Sequence, residues 1–275
     1  MTSIPFFKMS GAGNDFILVD NRSSCVPEKN IAQFVAKVCR RKLSVGADGL
    51  ILLEASPTAD FKWRFYNSDG SIAEMCGNGA RCAARFAFLS GMAGKQMCFE
   101  TVAGMIHAQI LDDGVKVKMT DPHSLVLDIE LDVMGQTIRC ASVNTGVPHV
   151  VIEVDNIDAV DVVSMGRAIR HHDRFAPAGT NVNFVAAGAK AAWVARTYER
   201  GVEDETLACG TGMAAVALIL AARSAADSPV LVETRSGEVL KIHFCGQAEA
   251  FSDLFLEGDA RIVYRGKLNP EAWRY

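Results

Sequence analysis

Two cysteines of this sequence stand in matched settings, each directly before a pair of glycines and an apolar segment. The two motifs are Cys76-Gly77-Asn78-Gly79 and Cys209-Gly210-Thr211-Gly212. The cysteines lie 209 − 76 = 133 positions apart. A helix that begins after each cysteine would offer backbone N–H groups and a partial positive charge, which favour a thiolate and hold a carboxylate. The motifs predict one site with two thiols, built from two similar halves.

Two thiols on opposite faces of one carbon can invert a stereocentre. Inversion by deprotonation needs a base on one face and an acid on the other. Cys76 and Cys209 would form such a thiolate and thiol pair, titrate as a coupled pair and exchange roles with the direction of reaction. Donors at both helix starts would stabilise the carbanion that develops, and this chemistry requires no cofactor.

The cysteine motifs belong to a longer internal repeat. When the sequence is displaced by 133 residues without a gap, several further segments match. The matches place Gly46-Ala47-Asp48 on Gly179-Thr180-Asn181, Glu100-Thr101 on Glu233-Thr234, and Asn67 on Arg200. A register shared by several landmarks indicates a duplication of roughly 130 residues per copy.

Each copy carries the same pattern of predicted elements. Strand-like runs and one amphipathic helix precede each cysteine, and an apolar helix follows it, over 77–90 and 210–225. We therefore expect an α+β fold with two pseudo-symmetric domains, each a strand-rich mixed sheet wrapped around a central helix. The predicted domains are 1–125, with or without the C-terminal tail 263–275, and 126–262.

Composition limits the function classes. The 275 residues are 49% hydrophobic and carry a net charge of −4, so nothing indicates a nucleic-acid partner. The longest apolar run, 213–222, is too short to cross a membrane, and the first twenty residues do not resemble a signal peptide. Eight cysteines without C-x-x-C spacing predict neither a disulfide scaffold nor a metal site. We expect a cytoplasmic protein with reduced thiols.

Three segments resemble the diaminopimelate epimerase family. They are Asn67-x-Asp69-Gly70-Ser71-(four residues)-Cys76-Gly77-Asn78-Gly79-x-Arg81, the opening Lys8–Phe16, and Glu199-Arg200-Gly201-(seven residues)-Cys209-Gly210-Thr211-Gly212. The resemblance covers nearly the whole chain. It implies a cofactor-independent epimerase that interconverts LL- and meso-diaminopimelate in lysine and peptidoglycan precursor synthesis. It also implies two similar α+β domains with the active site in the cleft between them, and it allows a homodimer.

The resemblance assigns roles to matching residues. Cys76 and Cys209 would be the acid and base. The carboxylate at the reacting carbon would be held by Gly77, Asn78, Gly210 and Thr211. The distal end of the substrate would be bound by Asn14, Asn67, Asn181 and Arg200. Glu199 would take an ammonium group and, together with His149, tune the thiols.

Two departures from the family pattern and several alternatives remain. Val147 stands where some members have an asparagine, and Gly49 where some have a glutamine, so the distal-end contacts differ from theirs. Another cysteine-pair racemase, for proline, hydroxyproline or histidine, is the nearest alternative, although proline racemase-like enzymes tend to carry histidine at the position of Asn78. Phenazine-type isomerases lack the cysteine pair. A redox-switch binding protein would use a Cys76–Cys209 disulfide.

Overall fold

A computed structural model describes residues 3–188, 191–247 and 250–274. The chain divides into two compact units. Unit 1 comprises Met1–Val117 and Gly258–Tyr275, and unit 2 comprises Lys118–Glu257. The first limit lies 125 − 117 = 8 residues before the sequence-based boundary at 125, and the second lies 262 − 257 = 5 residues before the boundary at 262. The C-terminal segment belongs to unit 1, and the last strand of the chain pairs with the first.

The sheet of unit 1 is mixed. Its strands in chain order are β1 (Ile4–Gly11), β2 (Asn14–Asp20), β3 (Gly49–Glu54), β4 (Phe61–Asn67), β5 (Gln96–Thr101), β6 (Gly104–Ile110), β7 (Val115–Lys118) and β17 (Arg261–Leu268). Strand β17 pairs antiparallel with β1, which pairs antiparallel with β2. The pairs β2–β3 and β4–β5 are parallel, and β3–β4, β5–β6 and β6–β7 are antiparallel.

The sheet of unit 2 repeats this order. Its strands are β8 (His123–Val133), β9 (Gln136–Asn144), β10 (Pro148–Glu153), β11 (Asn181–Ala187), β12 (Trp193–Glu199), β13 (Asp204–Thr206), β14 (Val230–Glu233), β15 (Val239–Gln247) and β16 (Ala250–Gly258). The pairs β10–β11 and β12–β14 are parallel, while β8–β9, β9–β10, β11–β12, β14–β15 and β15–β16 are antiparallel. Strand β8 stands beside β9 as β17 stands beside β1.

Each sheet curves around one helix and packs a second helix on its other face. The central helices are α2 (Gly77–Leu89) and α4 (Gly210–Ala222), and the outer helices are α1 (Ile31–Val38) and α3 (Val162–Arg170). Helix α2 contacts β1, β2, β3 and β6, and α4 contacts strands from β8 to β15. Contacts with strands this far apart in the order show that the sheet wraps the helix. Short 3₁₀ helices cover Ile157–Ala159, Asp173–Phe175 and Pro270–Trp273.

The central helices are largely buried, and the sequence of α4 is apolar on nearly every side. In α4 every residue from Gly212 to Leu220 is buried, as expected for a helix without a polar face. Helix α2 is alanine-rich and ends before Gly91, whose φ of 66° is left-handed. Glycine is the residue that tolerates this conformation after a helix. The predicted α+β fold with two repeated halves and a central helix in each is confirmed.

The ungapped register of 133 is wrong for two strands of each unit. Val150 packs on the outer-helix side of unit 2, as does Ile17 in unit 1, which preserves a displacement of 133. Tyr66 and Tyr198 also face the outer helices, and these correspond with a displacement of 132. Strands β11 and β12 therefore correspond to β3 and β4 with a displacement of 132 residues instead of 133. The second copy has one residue fewer before β11 and one residue more between β12 and α4.

This correction changes the pairing of candidate residues between the halves. In the strand pairings, Phe16 lies beside Gly49, and Gly49 lies opposite Asn67. His149 likewise lies beside Asn181. Asn181 thus corresponds to Gly49 rather than to Asp48, and Asn67 corresponds to Glu199 rather than to Arg200.

Candidate active site

Both cysteines occupy the N-cap position of a central helix. Cys76 precedes α2 with φ −150° and ψ 119°, and Cys209 precedes α4 with φ −119° and ψ 104°. The backbone is thus extended at each cysteine and helical from the next glycine onward. The predicted helix starts at Gly77 and Gly210 are confirmed. In each unit the first-turn N–H groups lie beside the thiol, the arrangement that can bind an anion.

In unit 1 the thiol of Cys76 contacts a fixed amide. Its Sγ lies 3.4 Å from Oδ1 of Asn14. The amide nitrogen of Asn14 donates to Oδ2 of Asp48 at 2.6 Å. Because a carboxylate only accepts, it fixes the amide with its oxygen on the side of the thiol. Asp48 therefore orients Asn14, a contact that the sequence analysis did not anticipate.

A cluster of charges holds Asp48 and its neighbour Asp15. Arg41 binds both carboxylates, at 2.6 Å from Asp15 and 2.9 Å from Asp48. Lys8 is buried and contacts Asp15 at 2.7 Å. Partial burial raises the pKa of Asp15, but the bonds to Arg41 and Lys8 outweigh it and lower that pKa to about 2. The cluster keeps Asp15 ionised and holds in place the start of β2, which carries Asn14.

Asn78 is held from below by a buried guanidinium. Arg81 has no exposed surface, and its Nη2 donates to Oδ1 of Asn78 at 2.8 Å. Its Nε donates to the backbone carbonyl of Asp259 at 3.0 Å. Arg81 thus ties the first turn of α2 to the segment that returns from unit 2.

Asn67 lies at the end of β4 and is exposed. Its amide nitrogen donates to the hydroxyl of Ser71 at 3.0 Å. Its register partner Gly49 has no room for a side chain, because a Cβ there would lie 2.6 Å from both the Phe65 ring and the carbonyl of Tyr66. A glutamine at position 49 would require these neighbours to move. The packing around this position therefore requires a glycine, where some family members have a glutamine.

In unit 2 the thiol of Cys209 lies beside the first turn of α4. The residue is 7% exposed, and its Sγ is 3.5 Å from the hydroxyl of Thr211. Thr145, which precedes β10, donates its hydroxyl to the backbone carbonyl of Thr211 at 2.9 Å. Thr211 is therefore positioned by a neighbouring loop, as Asn78 is positioned by Arg81.

The remaining candidate residues of unit 2 lie where β10 and β11 begin and where β12 ends. Asn181 is buried; its amide oxygen accepts from the backbone N–H of Arg200 at 2.8 Å and its nitrogen donates to the carbonyl of Pro148 at 3.1 Å. The guanidinium of Arg200 donates to the carbonyl of Ala178 at 3.1 Å. Burial raises the pKa of Glu199.

His149 belongs to a buried polar network. It is 1% exposed, and its Nδ1 lies 3.2 Å from the amide nitrogen of Asn183. That nitrogen also donates to the carbonyl of Val150 at 2.9 Å, and the amide oxygen of Asn183 accepts from the hydroxyl of Thr197 at 2.9 Å. Burial, reinforced by the charge of Arg200, lowers the pKa of His149 to about 3. The sequence analysis missed Asn183 and Thr197, whose signal was polarity at inward positions of apolar strands.

Known proteins match this chain along almost its entire length. A family model described as diaminopimelate epimerase matches residues 6–125 and 141–263. The chain belongs to the diaminopimelate epimerase family. A relative named diaminopimelate epimerase in Aquifex aeolicus is 46% identical, with 98% of this chain and 99% of that protein covered. Another of that name in Hydrogenobaculum sp. is 48% identical over 96% of this chain and 98% of that protein. The family predicted from the three motifs is confirmed.

Solved structures share the fold of this diaminopimelate epimerase family member at low sequence identity. A PhzF-family phenazine biosynthesis protein from Bacillus anthracis has a TM-score of 0.74 at 16% identity, over 98% of this chain and 100% of that chain. A hydroxyproline epimerase from Agrobacterium vitis has a TM-score of 0.68 at 16% identity, over 99% and 95%. Within the described residues, no helix is both long enough and apolar enough to span a membrane.

Proposed function

We propose that this protein interconverts LL- and meso-diaminopimelate with a thiolate and thiol pair, which removes one α-proton and delivers another proton to the same carbon. One of Cys76 and Cys209 removes the α-proton as a thiolate, and the other delivers a proton to the opposite face of the same carbon. The α-proton passes to one sulfur, and the proton of the new C–H bond comes from the other sulfur. One thiolate and one thiol are present before and after the reaction, so the overall charge is unchanged. No oxidant or reductant takes part.

The observation that carries the proposal is the repeated helix start. A cysteine at the N-cap, followed by a residue pair that begins the helix, occurs once in each unit. The first-turn N–H groups supply anion-binding donors for the carboxylate on the reacting carbon, at Gly77 and Asn78 in one half and at Gly210 and Thr211 in the other. The family relationship supports this use of the same residues.

The other candidate residues account for the second end of the substrate. We propose that Asn14, Asn67, Asn181 and Arg200 bind the distal amino acid group, with the guanidinium of Arg200 pairing the distal carboxylate. Glu199 would receive an ammonium group. The location we propose for the protein is the cytoplasm, and a homodimer remains compatible with the proposal.

The test of the substrate is a panel of amino acids assayed for epimerisation with reductant present. We expect diaminopimelate to react and proline, hydroxyproline and histidine to remain unchanged. Cys76→Ala and Cys209→Ala should each abolish the reaction while circular dichroism reports an unchanged fold. Reaction of proline or histidine without diaminopimelate would overturn the substrate assignment, and full activity of either alanine variant would overturn the two-thiol mechanism.

A further inference from the structure

We infer that Asn183 and Thr197 are positioning residues that hold His149 in a single neutral tautomer, with its proton on Nε2. His149 then serves the site as a hydrogen-bond donor and not as a base for a thiol. The inference extends the proposed function, because it assigns a chemical role to a residue in that site and names the two residues that impose the role.

The orientation of the Asn183 amide is decided by its partners. The carbonyl oxygen of Val150 can only accept a hydrogen bond, so the group that faces it at 2.9 Å must be the NH₂ of Asn183. The amide oxygen then faces Thr197, whose hydroxyl donates to it at 2.9 Å. Both contacts favour the same orientation, and the opposite one would bring two oxygen atoms together at Val150.

The second hydrogen of that NH₂ group decides the tautomer of His149. The amide nitrogen lies 3.2 Å from Nδ1 of His149. Because an NH₂ group only donates, Nδ1 must accept with its lone pair. Burial lowers the pKa of His149, which favours the neutral ring near neutral pH. A neutral imidazole with a lone pair on Nδ1 carries its proton on Nε2.

The Nε2 atom is a buried donor without a hydrogen-bond partner among the described residues. A buried N–H group left unpaired is costly, and it can be satisfied by an acceptor that arrives with a ligand. His149 is the second residue of β10 and lies beside Asn181, which places it among the other candidate residues of unit 2. We infer that the acceptor is an anionic oxygen of the bound amino acid.

The same positions in unit 1 show that folding does not need this network. His149, Asn183 and Thr197 correspond to Phe16, Ile51 and Phe65 in the corrected register. Those three residues are buried in the apolar core beneath α2. The fold therefore accepts apolar side chains at these positions, and the polar set of unit 2 is attributed to chemistry.

The network also contacts the first turn of the central helix. A Cβ built at Gly212 would overlap Oδ1 of Asn183, so this amide packs directly against the backbone three residues after Cys209. Thus a change in the Asn183 amide reaches both His149 and the start of α4. A variant of Asn183 must therefore be read with a measurement that reports on the histidine itself.

The test is ¹⁵N–¹H NMR of the histidine side chains in the full chain, with the His149 signal assigned by its loss in His149→Phe. We expect Nδ1 to have the shift of an acceptor nitrogen and Nε2 that of a protonated one. Asn183→Asp removes the donor to Nδ1, and we expect the proton to move to Nδ1 or the ring to become charged. A wild-type ring protonated at Nδ1, or no change in Asn183→Asp, would overturn the inference.

Kinetics with diaminopimelate test the role of the tautomer. We expect Asn183→Asp to lower kcat about tenfold or more with a smaller change in KM. Thr197→Ser should keep both the tautomer and kcat, whereas Thr197→Val should lower kcat, because only serine retains the hydroxyl. A changed tautomer with unchanged kcat would overturn the positioning role. If no variant or wild type acts on diaminopimelate, the proposed function fails while the NMR result still decides the tautomer.

Discussion

The first turns of the two central helices pack on chemically different neighbours. At Gly79 of α2 a Cβ would meet Ile51 at 3.2 Å and the Phe16 ring at 3.6 Å, both apolar. At Gly212 of α4 the neighbour is Asn183, which is bonded to His149. Both units thus have a glycine in the first turn of the central helix and a side chain packed against it. That side chain is apolar in unit 1 and polar in unit 2. Each thiol therefore has its own surroundings.

The hydrogen bonds and ion pairs near the two half-sites differ as well. In unit 1 the contact residue Asn14 is oriented by Asp48, which is part of an ion cluster with Arg41. The position of unit 2 that corresponds to Asp48 in the corrected register is Thr180, whose hydroxyl donates to the backbone of Asn181. The Asp48 position of unit 1 therefore makes charged contacts, whereas Thr180 of unit 2 makes a neutral hydrogen bond. The two cysteines at the repeated helix starts thus have different surroundings.

The largest effect should come from replacing either thiol. Cys76→Ser and Cys209→Ser should each lower kcat/KM by about 10³-fold, because a serine hydroxyl is a far poorer proton donor and acceptor near neutral pH. The measurement is the steady-state rate in both directions. Cys98→Ser serves as the matched control, since this half-buried cysteine lies outside both helix starts. If only one of the two serine variants lost activity, the halves would not be equal partners.

The buried histidine should make stability depend on pH. Its folded pKa of about 3 is below the ordinary value of 6.5, so between these values the unfolded chain binds a proton that the folded chain does not. Stability is therefore lost as the pH falls, by about 2 kcal/mol from pH 6.5 to 4.5. Urea unfolding over this range measures the loss.

His149→Phe, which copies Phe16 of unit 1, should remove this pH dependence. The raised pKa of Glu199 has the opposite sign, because its stabilising proton is lost as the pH rises. Glu199 is common to both proteins, so the difference between their slopes isolates the histidine. Equal slopes in the two proteins would show that His149 is not held neutral.

The two equivalent glycines should respond unequally to a methyl group. We expect Gly212→Ala to destabilise unit 2 by about 1–3 kcal/mol, because the new Cβ overlaps Asn183. Gly79→Ala should change stability by less than about 1 kcal/mol, since the tip of Ile51 can move and alanine favours the helix. The urea midpoints of both variants measure this. A larger loss in Gly79→Ala would reverse the comparison.

The smallest effect should follow from the carboxylate that orients Asn14. Asp48→Asn weakens the charged acceptor at 2.6 Å and should lower kcat/KM about fivefold, because the amide becomes free to turn. Asp20→Asn is the matched control, as Asp20 is a similarly exposed carboxylate bound to Arg22 within unit 1. Equal rates for Asp48→Asn and wild type would remove Asp48 from the account.

The sequence predicted the features that depend on local pattern. The cysteine and glycine motifs gave the helix starts at Gly77 and Gly210, and the three motifs gave the family. The pairing of Asn67 with Arg200 was wrong. The second copy lacks one residue before β11 and has one extra residue before α4, so the motifs on both sides of this stretch still align without a gap. Such a compensated shift becomes visible only through strand register, where one residue reverses the face of every side chain.

The His149 network was beyond the sequence for a related reason. A polar residue in an apolar strand either faces the solvent or needs a buried partner, and the choice depends on the neighbouring strands. Asn183 and Thr197 lie on adjacent strands and meet because their register is direct. Asp48 and Asn14 are 34 positions apart and meet through the parallel pairing of β2 and β3. Contacts of this kind follow from the fold and not from motif spacing.

An early-time reaction of LL-diaminopimelate in deuterated water tests whether Cys76 and Cys209 act on opposite faces of one carbon, as we propose. We predict that the meso product carries deuterium at the inverted carbon while the LL-diaminopimelate recovered at the same time retains its protium. This follows because the group that removes the proton is not the group that delivers one. Deuterium appearing equally in recovered substrate and product would contradict the account, because a single exchanging base would then suffice.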